Sequence, residues 1–81
     1  MDNKQALLDN LDKIHTTKMG VDRIKRNLDL DTEDVVLYCL DRIKENDCKI
    51  IKSGKNWYAQ SHGCIITINA SSYTIITAHK K

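Results

Sequence analysis

The chain has 81 residues, and its 13 Lys and Arg against 11 Asp and Glu leave a formal net charge of only +2 at pH 7. This length predicts a single domain, residues 1–81, with one small core. Phe and Pro are absent, so the core must be aliphatic, and it leaves no room for a ligand cavity on the order of several hundred Å³. We therefore expect any site to be a shallow surface or a groove.

Charge is divided unevenly along the chain. All 11 acidic residues precede residue 48, whereas residues 48–81 hold five lysines. Two interpretations are open: lysines that discourage pairing at an exposed strand edge, or a basic binding face. The mild net charge permits a nucleic-acid partner without arguing for one.

Apolar residues recur at helical spacing through the first half, which predicts three helices at about 2–14, 17–28 and 32–46. The expected N-caps are Asp2 or Asn3 for the first, Thr16 or Thr17 for the second and Asp31 for the third. The stripes expected to be buried are Leu7, Leu8, Leu11 and Ile14; Met19 or Val21, Ile24 and Leu28; and Val35, Val36, Cys39, Leu40 and Ile43.

From Cys48 onward the period changes to two, which predicts strands at about 48–53, 55–60, 64–69 and 73–79. Turn residues separate these strands, and short connections favour pairing between consecutive ones. The predicted fold class is therefore α+β, with three N-terminal helices packed on one face of a C-terminal four-stranded antiparallel β-meander.

The turns also predict which side chains share a face. A two-residue turn at His62-Gly63 pairs Ser61 with Cys64, and a three-residue loop at 70–72 pairs Asn69 with Tyr73. The face expected to pack on the helices holds Trp57, Ala59, Cys64, Ile66, Ile68, Thr74, Ile76 and Ala78. The other, more polar face holds Tyr58, Gln60, Ile65, Thr67, Asn69, Tyr73, Ile75, Thr77 and His79. A slip of one residue in either turn would reverse this assignment.

The cysteines carry no sign of a metal site or a disulfide framework. Cys39, Cys48 and Cys64 are odd in number and lack metal-ligand spacing. No apolar run reaches the length of a signal peptide or a membrane span, so we expect reduced thiols in the cytoplasm. Cys39 and Cys64 are expected to be core residues. We expect no metal, no cofactor and no membrane partner.

The polar sheet face is the best candidate site. Aromatic rings on a sheet beside Lys and Arg suit single-stranded RNA, through base stacking and phosphate contact. A similar set can cleave RNA without metal, because His can move protons near pH 7 and a cation can stabilise the phosphorane. The candidate nucleic-acid-binding residues are Tyr58, Tyr73, Lys55, Arg23, Arg26 and Lys80, and the candidate catalytic residues are His79, His15, Arg23, Lys55 and Tyr73.

Structural explanations exist for the same residues. His15, at a helix junction, can fill a corner and bond a backbone carbonyl, or it can face an anion beside Arg23. Tyr and Thr on the polar face can serve strand propensity alone. His62 is interpreted as a turn residue.

Several phrases resemble a known family of short uncharacterised bacterial proteins, catalogued as a domain of unknown function. The phrases are Lys13-Ile14-His15-Thr16-Thr17, Gly20, Arg23-Ile24, Asn27-Leu28, Gly54-Lys55-Asn56-Trp57-Tyr58 and Tyr73-Thr74-Ile75-Ile76-Thr77-Ala78-His79. The resemblance covers nearly the whole chain and implies no activity.

A looser resemblance concerns the fold. Helices followed by a four-stranded meander are similar to the small ribonuclease superfold of barnase, RelE-type toxins and tRNA-cleaving colicins, which work without metal. By type and place, the resemblance implies His79, Tyr73, Lys55 and Arg23 as catalytic candidates. It is an analogy of fold alone, because no sequence motif of those families is present.

The leading hypothesis is thus an RNA-binding protein, or a metal-independent endoribonuclease of toxin or defence type. Tyr58 and Tyr73 would stack bases, and His15 and His79 would transfer protons. The alternative is a non-catalytic protein-interaction module. It would bind a partner, or a second copy in a homodimer, through the sheet face or its edge.

Overall fold

Helices occupy the first half of the chain and strands the second, as the change of hydrophobic period predicts. The computed structural model describes residues 3–32, 34–61 and 63–80. The helices are α1 (Asn3–Leu8), α2 (Lys18–Leu28) and α3 (Val35–Ile43), and the strands are β1 (Lys49–Ser53), β2 (Asn56–Ser61), β3 (Cys64–Asn69) and β4 (Ile75–Lys80). The α+β class and the four-stranded antiparallel sheet, in the order β1-β2-β3-β4, are confirmed.

The first helix is shorter than the apolar pattern predicts. It ends at Leu8, and a 3₁₀ turn over Leu11–Lys13 follows before the chain becomes extended at Ile14. The Asn10 side chain donates a hydrogen bond to the Ala6 carbonyl at 2.8 Å, which satisfies an open acceptor at the end of the helix. One continuous helix over 2–14 was therefore the wrong prediction. Of its two expected caps, Asp2 lies outside the described residues and Asn3 lies within α1.

The second helix begins as predicted. Thr17 caps it by accepting a hydrogen bond from the Gly20 N–H at 3.0 Å. A side chain at position 20 would collide with Thr16, whose hydroxyl donates to the Ile75 carbonyl at 2.9 Å. Gly20 therefore leaves room for the bond that ties the start of α2 to the start of β4.

The third helix starts and ends inside its predicted limits. Asp34 caps it by accepting from the Leu37 N–H at 3.1 Å, so the prediction of Asp31 as the cap is wrong. The helix ends at Ile43. The Lys44 N–H still donates to the Leu40 carbonyl, and the Glu45 N–H donates to the Arg42 carbonyl at 3.3 Å, which is the spacing of a 3₁₀ turn.

The central hairpin has the predicted register. Ser61 pairs with Cys64, and the pairing continues to Asn56 and Asn69. Gly63 adopts a φ of +78°, which suits a tight turn, whereas His62 lies outside the described residues.

The predicted pairing of the last strand is wrong. Thr67 pairs with Thr77 instead of Ile75, and the register shifts between Thr67 and Ile68. The shift places an extra residue, Ile76, in β4, so Ile75 is 1% exposed and Ile76 is 38% exposed. The facing of these two isoleucines is therefore the reverse of the prediction. The strand begins two residues late, because Thr74 pairs instead with His15 in a short parallel bridge.

Helix and sheet share one hydrophobic core. Cross-strand pairing puts Trp57, Ala59, Ile66, Ile68, Ile75 and Ala78 on one side of the sheet, here named the inner face. Every one of these residues is at most 3% exposed and belongs to the cluster that contains Leu7, Ile24, Leu28, Val35, Cys39 and Ile43. Met19, which was one of two candidates for the second stripe, is instead 72% exposed.

Candidate nucleic-acid interface

The opposite side of the sheet, here named the outer face, contains two rows of cross-strand neighbours. One row reads Ile51, Tyr58, Thr67, Thr77 from β1 to β4, and the next reads Lys49, Gln60, Ile65, His79. Lys49, Ile51 and His79 are exposed, and most of the others are half-buried. Lys49 and Ile51 were missing from the predicted polar face, although the pairing of β1 with β2 across the Gly54-Lys55 turn puts them there.

The outer face combines apolar and polar groups without an acid. Tyr58 lies on β2, one of the two central strands, and its cross-strand neighbours are Ile51 on β1 and Thr67 on β3. Ile51 leaves 43% of its surface exposed, while Thr67, in the middle of its row, is 7% exposed. Because residues 48–81 contain no Asp or Glu, these strands present no carboxylate that would repel a phosphate.

Helix α2 adjoins the outer face at β4. The Asn27 side chain donates to the Thr77 hydroxyl at 3.3 Å, which links the helix to the row that contains Tyr58. Arg23 lies one helical turn before Asn27, on the same side of α2. With Met19, Asp22 and Arg26 it lines a surface groove of about 210 Å³, in which Asp22 is the one negative charge among the four lining residues.

The other predicted binding residues lie elsewhere. Tyr73, with a φ of +60°, places its ring 5.5 Å from that of Trp57, so it packs towards the inner-face side. Lys80 pairs with Cys64 and so projects from the side opposite Tyr58. Lys55 is exposed in the β1–β2 turn, where its carbonyl accepts from the Ala70 N–H. Of the six residues, Tyr58 lies on the outer face, and Arg23 and Arg26 lie on the helix whose Asn27 contacts Thr77 in that face.

The two candidate histidines are far apart. His79 lies on the outer face beside Ile65, near the end of β4. His15 bridges Thr74, before the start of β4, and five residues of strand correspond to roughly 16 Å. Nδ1 of His15 is 2.9 Å from the Lys13 carbonyl oxygen, as the structural explanation of a junction histidine anticipates, and Nε2 is 3.1 Å from Thr74 Oγ1. The histidines therefore cannot act on one bond together in this conformation.

Some polar contacts had no signal in the sequence. The Lys13 ammonium lies 5.6 Å from the centre of the Tyr73 ring, and the Nε1 atom of buried Trp57 has no hydrogen-bond partner among the described residues. Lys13 and Tyr73 are 60 positions apart in the chain, and local patterns do not report such neighbours.

The buried cysteines are not poised for chemistry. Cys39, Cys48 and Cys64 are each at most 5% exposed. Burial, and then the charge of Cys64, raises the pKa of the Cys39 thiol from 9.0 to about 12. Cys39 therefore remains a protonated thiol at neutral pH, which agrees with its predicted place in the core.

Neither a metal-binding cluster nor a membrane-spanning helix is found among the described residues. Within 3–32, 34–61 and 63–80, no group of three or more His, Cys, Asp or Glu is placed to hold a metal ion. Over the same part of the chain, no helix has the length and hydrophobicity of a membrane span.

Comparison with known proteins gives one match. No curated protein and no solved structure is similar to the chain at a significant level. Residues 8–79 match the model of a family described as a protein of unknown function, DUF3781. Because this match spans most of the 81 residues, the chain belongs to the DUF3781 family.

Proposed function

We propose that this protein binds single-stranded RNA through the outer face of its sheet, with the helices packed on the inner face and leaving the outer one accessible. Tyr58 supplies a ring for stacking, and Ile51 and Ile65 flank it with apolar surface suited to bases and ribose. A four-stranded sheet with an aromatic ring on its accessible side is a recurring platform for unpaired bases. The amide and hydroxyls of Gln60, Thr67 and Thr77 offer hydrogen bonds to base edges.

The observation that carries the proposal is the bond between Asn27 and Thr77. It joins α2 to the row of Tyr58 at Thr77, and Arg23 lies one turn before Asn27 on that helix. A strand whose bases lie on the sheet would then run its phosphates along Arg23 and Arg26. Base stacking and phosphate contact are the two components of affinity for single strands. Lys49 and His79 add positive or polar groups at the margins of the same face.

Binding without cleavage fits the geometry better than a ribonuclease does. Cleavage without metal needs one group to take the 2′-hydroxyl proton and another to protonate the leaving oxygen. His15 and His79 are too far apart to share these steps, and Tyr73 is engaged with Trp57 and Lys13. Reduced, buried cysteines suit the cytoplasmic location that we propose.

Fluorescence anisotropy with a labelled single-stranded RNA of mixed sequence tests the proposal. Tyr58→Leu should weaken binding roughly 5- to 150-fold, because stacking of one base contributes about 1–3 kcal/mol. Tyr38→Leu is the matched control, since Tyr38 lies on α3 against Arg42 and should leave affinity unchanged. Arg23→Gln should reduce the slope of log affinity against log salt by about one.

The competing function is pairing with a second copy through β1. This strand ends the sheet, four of its five residues are exposed, and Ile51 leaves apolar surface at the edge. Sedimentation of the wild type and of Ile51→Lys separates the two. A dimer lost in Ile51→Lys, together with no RNA affinity, would replace the RNA proposal. If the wild type is a monomer and Tyr58→Leu binds RNA as tightly as the wild type, neither proposed role of the sheet holds.

A further inference from the structure

A chain of hydrogen bonds connects four side chains at the start of β4. The Asn69 side-chain oxygen accepts from the backbone N–H groups of Ser71 and Ser72, at 2.9 and 3.0 Å. The Ser72 hydroxyl lies 3.2 Å from that oxygen and only 2.8 Å from the Thr74 hydroxyl. The Thr74 hydroxyl in turn lies 3.1 Å from Nε2 of His15.

The Lys13 carbonyl sets the direction of this chain. A carbonyl oxygen can only accept, so the contact of 2.9 Å requires the hydrogen of a neutral His15 to be on Nδ1. Nε2 then carries a lone pair, and the Thr74 hydroxyl must donate to it. The Thr74 hydroxyl has then used its only hydrogen, so Thr74 Oγ1 can only accept a hydrogen bond, here from the Ser72 hydroxyl at 2.8 Å. The other contact of the Ser72 hydroxyl, to the Asn69 oxygen, is longer at 3.2 Å.

We propose that Ser72 is an activated nucleophile and the site of acylation by an activated acyl donor, such as an acyl phosphate. A hydroxyl, a base within hydrogen-bond reach and a third group that orients the base are the elements of nucleophile activation. Here Ser72 is the nucleophile, and His15 is the base that acts through Thr74. Ser72 and His15 are both exposed, so a reagent can reach the hydroxyl from solvent.

The step balances without a further reactant. The Ser72 Oγ atom forms a bond to the acyl carbon as the bond to the leaving phosphate breaks. The Ser72 proton moves to Thr74 Oγ1 while the Thr74 proton moves to His15 Nε2. The leaving group departs with its electron pair, and the imidazolium returns its proton to it or to water.

Ser71 provides an internal control in the unmodified protein. It is exposed in the same loop and bonds the same Asn69 oxygen through its N–H, but the chain of hydroxyls runs through Ser72. The experiment is incubation with 4-nitrophenyl acetate, followed by peptide mass spectrometry that counts acetyl esters at each serine. Ser72 should be acetylated at least about tenfold faster than Ser71, since a positioned base contributes considerably more than this in enzymes.

Two variants distinguish a role of His15 as the base from a purely structural role of the same residue. In His15→Gln the side chain can still hydrogen-bond but cannot take a proton, so the rate at Ser72 should fall to that of Ser71. Thr74→Val removes the connecting hydroxyl and should have the same effect, with folding checked by circular dichroism. Equal labelling of the two serines in the wild type overturns the proposal even if the variants fail to fold. Undiminished labelling of Ser72 in folded His15→Gln overturns it as well.

Discussion

The two faces of the sheet come from the same four strands but serve different environments. The inner face consists of Trp, Ile and Ala side chains that are at most 3% exposed. On the outer face, the same strands carry Tyr58, Gln60 and Thr67. Exposed Lys49 and His79 lie at the two ends of the row that contains Gln60. Burial of apolar area stabilises the fold, whereas a half-exposed polar face contributes little to it. The residues that stabilise the fold and the residues proposed to bind RNA therefore lie on opposite sides of one sheet, so each set can be altered separately.

The largest expected effect contrasts neighbouring isoleucines in β3. Ile66→Ala should lower the free energy of unfolding by about 2–5 kcal/mol, because it removes a fully buried side chain and leaves a cavity. Ile65→Ala, the same chemical change on the outer face, should cost about 1 kcal/mol or less. Urea unfolding followed by circular dichroism measures both. Equal losses would show that the outer face is covered by something that the described residues do not reveal.

A second pair tests the irregularity in β4. Ile75→Ala should cost about 2–4 kcal/mol because Ile75 is 1% exposed, whereas Ile76→Ala should cost less than about 1 kcal/mol because Ile76 is 38% exposed. A regular strand with the predicted pairing would reverse this order. The same unfolding measurements, made side by side, therefore decide whether the strand contains the extra residue.

The smallest expected effect is the pH dependence of the stability that the buried Cys39 thiol contributes. Above pH 9 the unfolded chain loses the Cys39 proton, while the folded protein keeps it until its raised pKa of about 12. The unfolded state then binds fewer protons, so the stability contributed by Cys39 should decrease as pH rises, on the order of 1 kcal/mol per unit. The measurement is the difference in unfolding free energy between wild type and Cys39→Ala at pH 8 and 10.5. A difference that does not change with pH would mean that this thiol titrates as in water.

The central hairpin shows how much of the sheet local sequence predicts. Alternating apolar residues and a turn ending in Gly63 gave the pairing of β2 with β3 without error, since a two-residue turn leaves one register. The loop before β4 offered no such restriction. The register there depends on His15 and Thr16, which bond the backbone at Tyr73 and Ile75 from a distant part of the chain.

The candidate sites divide in the same way. Tyr58 could be assigned to the outer face because the hairpin fixes its facing. Asn27 could not be placed beside Thr77, nor Ser72 in line with His15, because both arrangements need α2 and the segment before it to dock on β4. A side chain at position 20 would displace Thr16, whose hydroxyl links the start of α2 to the Ile75 carbonyl.

The amino-acid pattern by itself determined the α+β class, the strand order, the largely aliphatic core and the absence of acidic residues from the four strands. These features follow from hydrophobic period, turn residues and composition, which act over a few neighbouring residues. Tertiary contacts alone decided the end of α1, the extra residue in β4 and the neighbours of each histidine. They did so because backbone groups at a strand edge and a helix end must find partners, and here the partners come from the opposite end of the chain.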